Sequence, residues 1–237
     1  MTTLDKSAAR VRRMFSEIAR RYDLLNHLLS LGIDRRWRRR TTRLVVPHGE
    51  GPVLDVCAGT GDLSLAYWRA GGKQTNVVGV DFCRPMLEIA RQKARRVGAA
   101  EGITLVEADA LHLPFPSDTF QIVCVAFGLR NVSDTQGGLR EMARVCRPGG
   151  HLAVLEFSMP VAWPLNSIYR WYFHRVLPWV GQVLARNRQG AYNYLPESVG
   201  EFPQGEALLE IMRMCGFNDV RQHSFTFGIA TLYVGKK

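Results

Sequence analysis

The fold of this chain is indicated most clearly by ten consecutive residues, Val53-Leu54-Asp55-Val56-Cys57-Ala58-Gly59-Thr60-Gly61-Asp62. They begin as an apolar strand, pass through a glycine turn and lead into a predicted helix. A second apolar run, Val77-Val78-Gly79-Val80, ends at Asp81, twenty residues after Gly61. A strand, helix and strand of these lengths form the unit that binds nucleotide-type ligands at the carboxyl ends of parallel strands.

The glycine arrangement distinguishes two classes of ligand that use such a unit. Dinucleotides and S-adenosylmethionine both place a ribose against the acid that follows the second strand. A dinucleotide also requires a third glycine, because its pyrophosphate rests on bare amides at the helix terminus. That position is Ser64 here, and Asp62 lies nearby. Carboxylates repel a pyrophosphate but suit the sulfonium and ammonium groups of S-adenosylmethionine, so Asp55 and Asp62 favour the methyl donor. A tight turn that binds no ligand is the remaining alternative.

The same three strands predict the cofactor contacts. Asp55 with the glycines Gly59 and Gly61 lets a ligand approach the backbone closely, and Asp81 can accept both ribose hydroxyls. A third predicted strand, residues 103–106, ends at Glu107-Ala108-Asp109-Ala110. Asp109 can accept the adenine amino hydrogen there. Taken alone, Asp109 is equally well explained as a solvated loop acid, but its order after Asp55 and Asp81 favours the site.

Strands and helices alternate along the rest of the chain, which predicts a parallel sheet with helices on both faces. Predicted helices cover 62–71, 85–98, 134–146 and 206–215, and predicted strands cover 120–127 and 151–157, with a closing strand pair at 220–227 and 229–234. A terminal antiparallel pair is typical of methyltransferase sheets and absent from dinucleotide folds. We therefore predict a Rossmann-like α/β fold of the class I S-adenosylmethionine-dependent methyltransferase type, with a mostly parallel seven-stranded sheet and an antiparallel terminal strand.

Length and composition indicate one domain over residues 1–237. With 46% apolar residues the chain can bury a sizeable core, and it contains no internal repeat. The N-terminus has no apolar signal region and no run approaches the ~20 apolar residues of a spanning helix, so we expect a cytoplasmic protein. The cysteines lack C-x-x-C spacing and the histidines are dispersed, which predicts buried reduced thiols and no metal site.

The positive charge is concentrated at the N-terminus. The chain carries a formal charge of +10, and residues 1–43 hold twelve Lys/Arg but only four Asp/Glu. We predict a basic helical extension over residues 1–45, because apolar residues recur there at helical spacing, namely Val11, Met14, Phe15, Ile18, Tyr22 and Leu25. Such a helix can pack on its own domain, bind phosphates or lie on an anionic membrane surface.

An aromatic insertion interrupts the alternating pattern at residues 159–200. It follows the fifth strand, at the edge of the sheet where substrates enter, and it contains Trp163, Tyr169, Trp171, Tyr172, Phe173, Trp179, Tyr192 and Tyr194. Aromatic rings supply large contact areas and stack on planar ligands. We therefore predict a helical lid over a flat, apolar acceptor; the alternative is an ordinary helical cover for the sheet.

Two longer stretches resemble the signatures of the ubiquinone/menaquinone biosynthesis C-methyltransferases. They are Tyr22-Asp23-Leu24-Leu25-Asn26-His27-Leu28-Leu29-Ser30-Leu31-Gly32, with Trp37, and Arg144-Val145-Cys146-Arg147-Pro148-Gly149-Gly150-His151-Leu152-Ala153-Val154-Leu155-Glu156-Phe157-Ser158. The turn Gly128-Leu129-Arg130-Asn131-Val132 is also typical of that family. The likeness covers nearly the whole chain, and its C-terminal part looks closer to members acting on demethylmenaquinone than to those that also serve ubiquinone.

This resemblance implies methyl transfer from S-adenosylmethionine to a ring carbon of a prenylated naphthoquinol, giving menaquinol. A ubiquinone precursor and demethylphylloquinol are alternative acceptors. By motif position, Thr60, Asp81, Asp109, Ala110 and Ala126 would contact the cofactor, and Ala126 could do so only through its backbone. Arg130 would stabilise the ionised ring hydroxyl, since a guanidinium cannot act as a base at neutral pH. Asn131, Tyr22 and Tyr194 are further catalytic candidates.

A lipid-tailed acceptor also suggests partners for the basic N-terminus. We expect peripheral attachment to the inner face of the cytoplasmic membrane, because Lys and Arg near anionic headgroups contribute about 1 kcal/mol each. An RNA-directed methyltransferase is disfavoured, since the turn after the fourth strand lacks the Asn/Asp-Pro-Pro-Tyr pattern, and we expect no nucleic acid partner. A small-molecule N- or O-methyltransferase would not need so aromatic a lid. The sequence does not decide between a monomer and a homodimer.

Overall fold

The computed structural model describes residues 7–48, 51–160, 163, 165–171, 175 and 191–237. Within this part of the chain one mixed sheet contains the strands β1 (Val53–Val56), β2 (Val77–Asp81), β3 (Ile103–Glu107), β4 (Phe120–Ala126), β5 (Cys146–Phe157), β6 (Asn218–Phe225) and β7 (Ala230–Lys236). Their order is β3-β2-β1-β4-β5-β7-β6. The first five strands are parallel, and β7 pairs antiparallel with both β5 and β6. The predicted seven-stranded sheet with its antiparallel end is confirmed.

The described helices are α1 (Ala8–Leu29), α2 (Ile33–Leu44), α3 (Asp62–Ala70), α4 (Arg84–Arg96), α5 (Thr135–Val145), α6 (Leu165–Trp171), α7 (Ala191–Glu201) and α8 (Glu206–Met214). Short 3₁₀ turns occur at Leu129–Asn131 and Thr226–Gly228. None of the described helices is both long and apolar enough to cross a bilayer. The four helices predicted at 62–71, 85–98, 134–146 and 206–215 are confirmed to within about two residues at each end.

The central strands are buried on both faces because their side chains alternate between two apolar clusters. Val53 and Ile122 pack into one cluster, and Leu54 and Val123 pack into the other. A strand with apolar residues at every position can therefore only be an interior strand covered by helices on each side. This burial fixes the carboxyl ends of β1, β2 and β4 at one edge of the sheet.

Strand β5 begins five residues earlier than the sequence suggested. The strand starts at Cys146 and includes Arg147-Pro148-Gly149-Gly150. Two pairings extend it: Cys146 pairs with Phe120 of β4, and on the other side the Gly149 N–H donates to the Lys237 carbonyl at 2.8 Å and the Lys237 N–H donates to the Gly150 carbonyl at 2.9 Å. Sequence patterns near residue 150 carry no information about this long-range pairing.

The N-terminal region forms two helices that pack on the sheet's carboxyl edge. On α1, Val11, Met14 and Ile18 are buried, as the helical spacing predicted. On α2, the Trp37 ring packs edge-on against Phe157, with ring centroids 6.1 Å apart. The basic extension therefore belongs to the domain's own packed structure, and only part of its surface is free for other partners.

The predicted lid is described only in part. The predicted lid residues Tyr172, Phe173 and Trp179 fall outside the described residues, as does the side chain of Tyr192. Trp163 and Trp171 are 83% and 62% exposed. Tyr169 and Tyr194 lie on the wall of a cavity beside Arg130. All five cysteines are free thiols, and four of them are buried.

Candidate functional site

Two adjoining cavities open along the carboxyl edge of the sheet. The first, here called the Asp81 cavity, has an empty volume of about 770 Å³ and is lined by the ends of β1, β2 and β4, by the loop after β3 and by α1. The second, the Arg130 cavity, has about 890 Å³ and is lined by α1, α2, α6, α7 and the ends of β4 and β5. Phe15, Tyr22 and Phe127 line both cavities. Two ligands bound side by side would therefore meet at these three rings.

Asp81 is held rigidly at the wall of the first cavity. One carboxylate oxygen, Oδ2, accepts a hydrogen bond from the Gly59 N–H, and the other, Oδ1, accepts one from the Cys83 N–H, both at 2.8 Å. Burial raises the pKa of Asp81 to about 6, although these backbone donors oppose the rise. Each oxygen keeps a further lone pair, so the carboxylate can still accept hydrogen bonds from ligand hydroxyls.

The two glycines of the turn after β1 have different surroundings: Gly59 faces empty space, and Gly61 packs against a neighbouring helix. Gly59 has φ 55° and lines the Asp81 cavity, and a Cβ at this residue would meet no heavy atom within 4 Å. Gly61 has φ 79°, and its Cβ would lie 3.0 Å from the Ala90 Cβ. Gly59 thus gives a ligand close access to the backbone, whereas Gly61 allows the turn to pack on α4.

Three predicted cofactor residues lie behind this turn rather than on the cavity wall. Asp55 is 1% exposed, and its Oδ2 accepts a hydrogen bond from the Ser64 hydroxyl at 2.5 Å. Thr60 donates its hydroxyl proton to Asp23 Oδ1 at 2.5 Å. Together with Gly61, Asp55 and Thr60 stabilise the turn on the side that faces away from the cavity. Asp62, whose carboxylate also suggested a cationic ligand, is paired instead with Lys93 on α4.

The remaining predicted cofactor residues do line the Asp81 cavity. Ala110 and Ala126 lie on its wall, and Asp109 stands at its exposed rim. Asp109 Oδ1 accepts a hydrogen bond from the Leu111 N–H at 3.0 Å, which orients the carboxylate. The structure therefore gathers Gly59, Asp81, Asp109, Ala110 and Ala126 around one space, as the order of the strands predicted.

Arg130 is buried beside the second cavity and is fixed by an ion pair. Its Nη1 donates to Glu156 Oε2 at 2.9 Å and to the Phe127 carbonyl, and its backbone N–H donates to Glu156 Oε1 at 3.2 Å. Arg130 and Glu156 are 5% and 1% exposed. The guanidinium carbon lies 5.5 Å from the centroid of the Phe157 ring. This arrangement holds a cation at the cavity wall in one orientation.

Several buried polar atoms on the cavity walls have no hydrogen-bond partner within the described part of the protein. Among the described residues, four buried side-chain polar atoms have no hydrogen-bond partner, and three of these belong to residues on the cavity walls: Arg130 Nε, Asn131 Oδ1 and Tyr194 Oη. Leaving a buried donor or acceptor unpaired costs about 1–3 kcal/mol. All three residues were predicted to be catalytic, and their grouping fits a site whose polar partners arrive with the ligands.

Tyr22 lies between the two spaces. Burial raises the pKa of its hydroxyl, and the nearby cations Arg130 and Arg38 pull that pKa back down. The pKa of Tyr194 is raised by burial as well. Both phenols are therefore neutral hydrogen-bond donors at physiological pH.

Sequence reasoning did not single out two residues that shape the site. Glu156 lies within the second signature, and a carboxyl in an otherwise apolar strand is itself a sign of a buried pair. Phe127 adopts φ 59°, an uncommon conformation for a large side chain, which lets its ring line both cavities. Nothing in the sequence distinguishes Phe127 from an ordinary strand residue.

A network of ion pairs fastens α1 to the glycine turn. Lys93 Nζ lies 2.8 Å from Asp23 Oδ2 on α1 and also contacts Asp62 on α3. Burial opposes ionisation of Asp62, but Arg38 and Lys93 hold its pKa below the usual range. These contacts tie the first helix to α3 and α4 across the edge of the Asp81 cavity.

Three groups that could ligate a metal ion come together among the described residues, namely His27, Asp34 and Asp62. Their charge is already balanced by the protein. Arg38 Nη1 lies 2.6 Å from Asp34 Oδ2 and 4.0 Å from Asp62 Oδ2. The cluster is therefore centred on the Asp34–Arg38 ion pair, and His27 Nδ1 lies 2.8 Å from Asp34 Oδ2.

Replacing Asp55 by asparagine is expected to stabilise the cofactor-free protein at pH 8. Burial raises the pKa of Asp55 to about 7, whereas a carboxyl in an unfolded chain has a pKa of about 3.9. Folding therefore favours the protonated form, and this stability is fully present below about pH 4 and is lost as the pH rises through about 7.

Asparagine cannot ionise, so Asp55→Asn should gain on the order of 3 kcal/mol over the wild type at pH 8 and differ little at pH 4. Urea denaturation at the two pH values measures this difference. Asp219→Asn, at an exposed position of β6, is the control. Equal stability of Asp55→Asn and the wild type at pH 8 would show that Asp55 is not a strained carboxylate.

Known proteins resemble this chain over nearly its full length. The sequence profile described as the ubiE/COQ5 methyltransferase family matches residues 2–237. The chain is 50% identical over 225 residues to a demethylmenaquinone methyltransferase of Thermus thermophilus, covering 94% of this chain and 100% of that protein. It is 46% identical over 237 residues to the ubiquinone/menaquinone biosynthesis C-methyltransferase UbiE of Geobacter sulfurreducens, covering 100% of this chain and 92% of the relative.

Solved structures share the fold at low sequence identity. An S-adenosylmethionine-dependent methyltransferase of Thermotoga maritima superposes with a TM-score of 0.64 at 18% identity, covering 95% of this chain and 98% of the other. A phosphoethanolamine N-methyltransferase of Haemonchus contortus in complex with S-adenosylmethionine gives a TM-score of 0.61 at 15% identity, covering 85% and 52%. At these identities the likeness concerns the fold alone.

Proposed function

The chain belongs to the ubiE/COQ5 methyltransferase family, and from this premise we propose that it methylates a ring carbon of demethylmenaquinol, with S-adenosylmethionine as donor and menaquinol as product. The observation that supports this assignment is the junction of the two cavities at Phe15, Tyr22 and Phe127. A C-methyltransferase must bring a sulfonium methyl group and a ring carbon into contact, and two spaces that share three aromatic walls allow this.

The residues of the Asp81 cavity fit the cofactor. Asp81 has carboxylate lone pairs for the ribose hydroxyls, Gly59 leaves the backbone open to a ligand, and Asn131 Oδ1 is an acceptor without a partner. When bound, S-adenosylmethionine supplies an electrophilic methyl group on a positively charged sulfur. The protein's part is to hold the donor's ribose and adenine at the Asp81 cavity and to keep water away from the reacting atoms.

The Arg130 cavity fits a flat, reduced aromatic ring. Phe127 and Phe157 lie with their ring centroids 4.4 Å apart and an interplanar angle of 34°, and both line the space. An oxidised quinone is electron-poor and cannot attack a methyl group, so the acceptor must be the quinol. Ionisation of one ring hydroxyl raises electron density on the adjacent carbon, which forms the new carbon–carbon bond as the methyl–sulfur bond breaks. The ring then loses its proton.

We assign to Arg130 the role of stabilising the ionised hydroxyl. Its Nη1 is occupied by Glu156 and the Phe127 carbonyl, but its Nε–H has no partner. An N–H of a fixed cation, buried away from water, is a strong donor to a developing phenolate. Tyr194, whose hydroxyl is also unpaired, is a second donor at the same cavity, and Tyr22 separates acceptor from donor.

The prenyl tail of such an acceptor belongs in a bilayer, and we propose that the enzyme works while attached peripherally to the inner face of the cytoplasmic membrane. The basic N-terminal helices support this, because residues 1–43 account for a net charge of +8 out of the chain's +10. Attachment of this kind weakens as salt screens the charges, with a Debye length of about 10 Å at 0.1 M.

The test of the proposed function is transfer of radiolabelled methyl from S-adenosylmethionine to short-tailed demethylmenaquinone, with and without dithionite. A short-tailed ubiquinone precursor and a structured RNA serve as competing acceptors. We expect label in the naphthoquinol only under reducing conditions. Label in the RNA, or none in the naphthoquinol while the cofactor binds, would refute the assignment.

A further inference from the structure

Two large apolar side chains project into solvent from turns beside the Arg130 cavity. Leu31, between α1 and α2, is 84% exposed, and Phe227, between β6 and β7, is 78% exposed. Their neighbours line the cavity: Ser30 precedes Leu31, and Ile229 follows Phe227 by two residues. Both projections therefore stand at the edge of the space proposed for the quinol ring.

Leu31 and Phe227 both adopt a left-handed backbone conformation. Leu31 has φ 52° and Phe227 has φ 58°. This conformation costs a non-glycine residue about 1 kcal/mol or more and persists only where the surrounding structure enforces it. The second turn is enforced by hydrogen bonds from the Trp37 indole N–H to the Thr226 hydroxyl at 2.8 Å and from the Ser158 hydroxyl to the Gly228 carbonyl at 2.7 Å. The first bond also links this turn to α2, which begins just after Leu31.

Helix α2, which follows Leu31, carries positive charge that its own carboxylate does not offset. The Arg40 guanidinium carbon lies 5.1 Å from the centroid of the Phe225 ring, next to the second turn, whereas Arg35, Arg39 and Arg43 line a groove between α2 and α3. Five arginines of α2 are exposed, namely Arg35, Arg36, Arg39, Arg40 and Arg43. The only acid of this helix, Asp34, is buried and paired with Arg38 at 2.6 Å. Exposed apolar side chains beside exposed arginines match a surface with anionic headgroups over an apolar interior.

We infer that this edge, defined by Leu31, Phe227 and the exposed arginines of α2, is the surface that docks on an anionic phospholipid bilayer. Leu31 and Phe227 enter the boundary between headgroups and acyl chains, and the arginines contact the phosphates. Docking in this orientation brings the Arg130 cavity to the bilayer, so a lipid-tailed ring can enter while its tail stays in the membrane. The inference rests on the proposed function for the identity of the acceptor, but the surface itself rests on exposure and charge.

The test compares vesicle binding of a double variant, Leu31→Asn with Phe227→Asn, with that of the wild type. Asparagine tolerates left-handed backbone, so both turns can keep their shape. The matched control is Met214→Gln at the end of α8. Met214 is also exposed, at 59%. It lies just before the start of β6 at Asn218, whereas Phe227 follows the other end of that strand at Phe225, so Met214 is at the opposite end of β6 from the docking surface. Thermal melting and cofactor affinity verify that each variant is folded.

With vesicles of phosphatidylcholine and phosphatidylglycerol at low salt, the double variant should bind at least about tenfold more weakly than the wild type, because two large apolar side chains no longer insert. The control should bind as the wild type does, and vesicles of phosphatidylcholine alone should retain little protein. Wild-type affinity in the double variant, or retention on RNA and not on vesicles, would overturn the docking surface. Vesicle binding is measured without turnover, so its outcome is independent of whether the wild type methylates a naphthoquinol.

Discussion

Replacing Arg130 by methionine together with Glu156 by glutamine is expected to lower kcat/KM for the naphthoquinol by about 10²–10³-fold, because the phenolate loses its fixed cation. The affinity for S-adenosylmethionine should change little, since Arg130 lines the acceptor's cavity and does not line the Asp81 cavity. Steady-state kinetics and calorimetric titration with the cofactor measure the two effects separately.

Both partners are changed because the pair is buried. Removing Arg130 alone would leave Glu156, which is 1% exposed, without a counter-ion, at a cost of about 3–5 kcal/mol. The control is a second ion pair that lines neither cavity, Arg144 with Glu141, whose Nε and Oε1 atoms lie 2.8 Å apart. Arg144→Met with Glu141→Gln should leave kcat/KM unchanged. Equal kcat/KM in the two double variants would exclude Arg130 from the reaction.

Replacing Asp81 by asparagine is expected to weaken cofactor binding about 100-fold, which corresponds to about 2.7 kcal/mol and matches the loss of charge-assisted hydrogen bonds. The change removes the charge and also breaks the local geometry. Both carboxylate oxygens accept backbone N–H groups, from Gly59 and Cys83. An amide has only one oxygen, so its NH₂ group must face one of these donors. Isothermal titration with S-adenosylmethionine measures the loss.

The pH dependence of the wild type provides an independent measurement. Because burial raises the pKa of Asp81 to about 6, the carboxylate that accepts the ribose hydroxyls forms as the pH rises through 6. Affinity for the cofactor should therefore fall below about pH 6 in the wild type and stay flat in Asp81→Asn. The exposed rim residue Asp109 is the graded control, and Asp109→Asn should weaken binding by less than about tenfold. A wild-type affinity that does not change between pH 5 and 8 would contradict this role of Asp81.

The sequence was sufficient for the sheet and for the order of the cofactor residues, because local patterns determine both. A fully apolar run such as 122–126 must be an interior strand, and parallel strands bring their carboxyl ends to one edge, which places Asp81 and Asp109 together. The aromatic and basic segments were less informative. Helical periodicity identifies the buried face of α1, but it does not specify the surface against which that face packs.

Long-range pairings account for what the patterns did not predict. The early start of β5 depends partly on the terminal residue Lys237, and the ion pair of Arg130 joins residues separated by 26 positions. Asp55 and Thr60 have the residue types of ligand contacts, yet the hydrogen bonds to Ser64 and Asp23 place them beneath the glycine turn. The choice between contacting a ligand and supporting the loop that contacts it depends on which side chains pack beneath the turn, and composition and spacing do not encode this packing.

Helix α1 contributes Phe15 and Tyr22 to both cavities, and this shared wall affects the kinetics of turnover. Any displacement of α1 would change the walls of both cavities at once. The two ligands proposed for these spaces are therefore coupled through one helix, and exchange of one would disturb the site of the other.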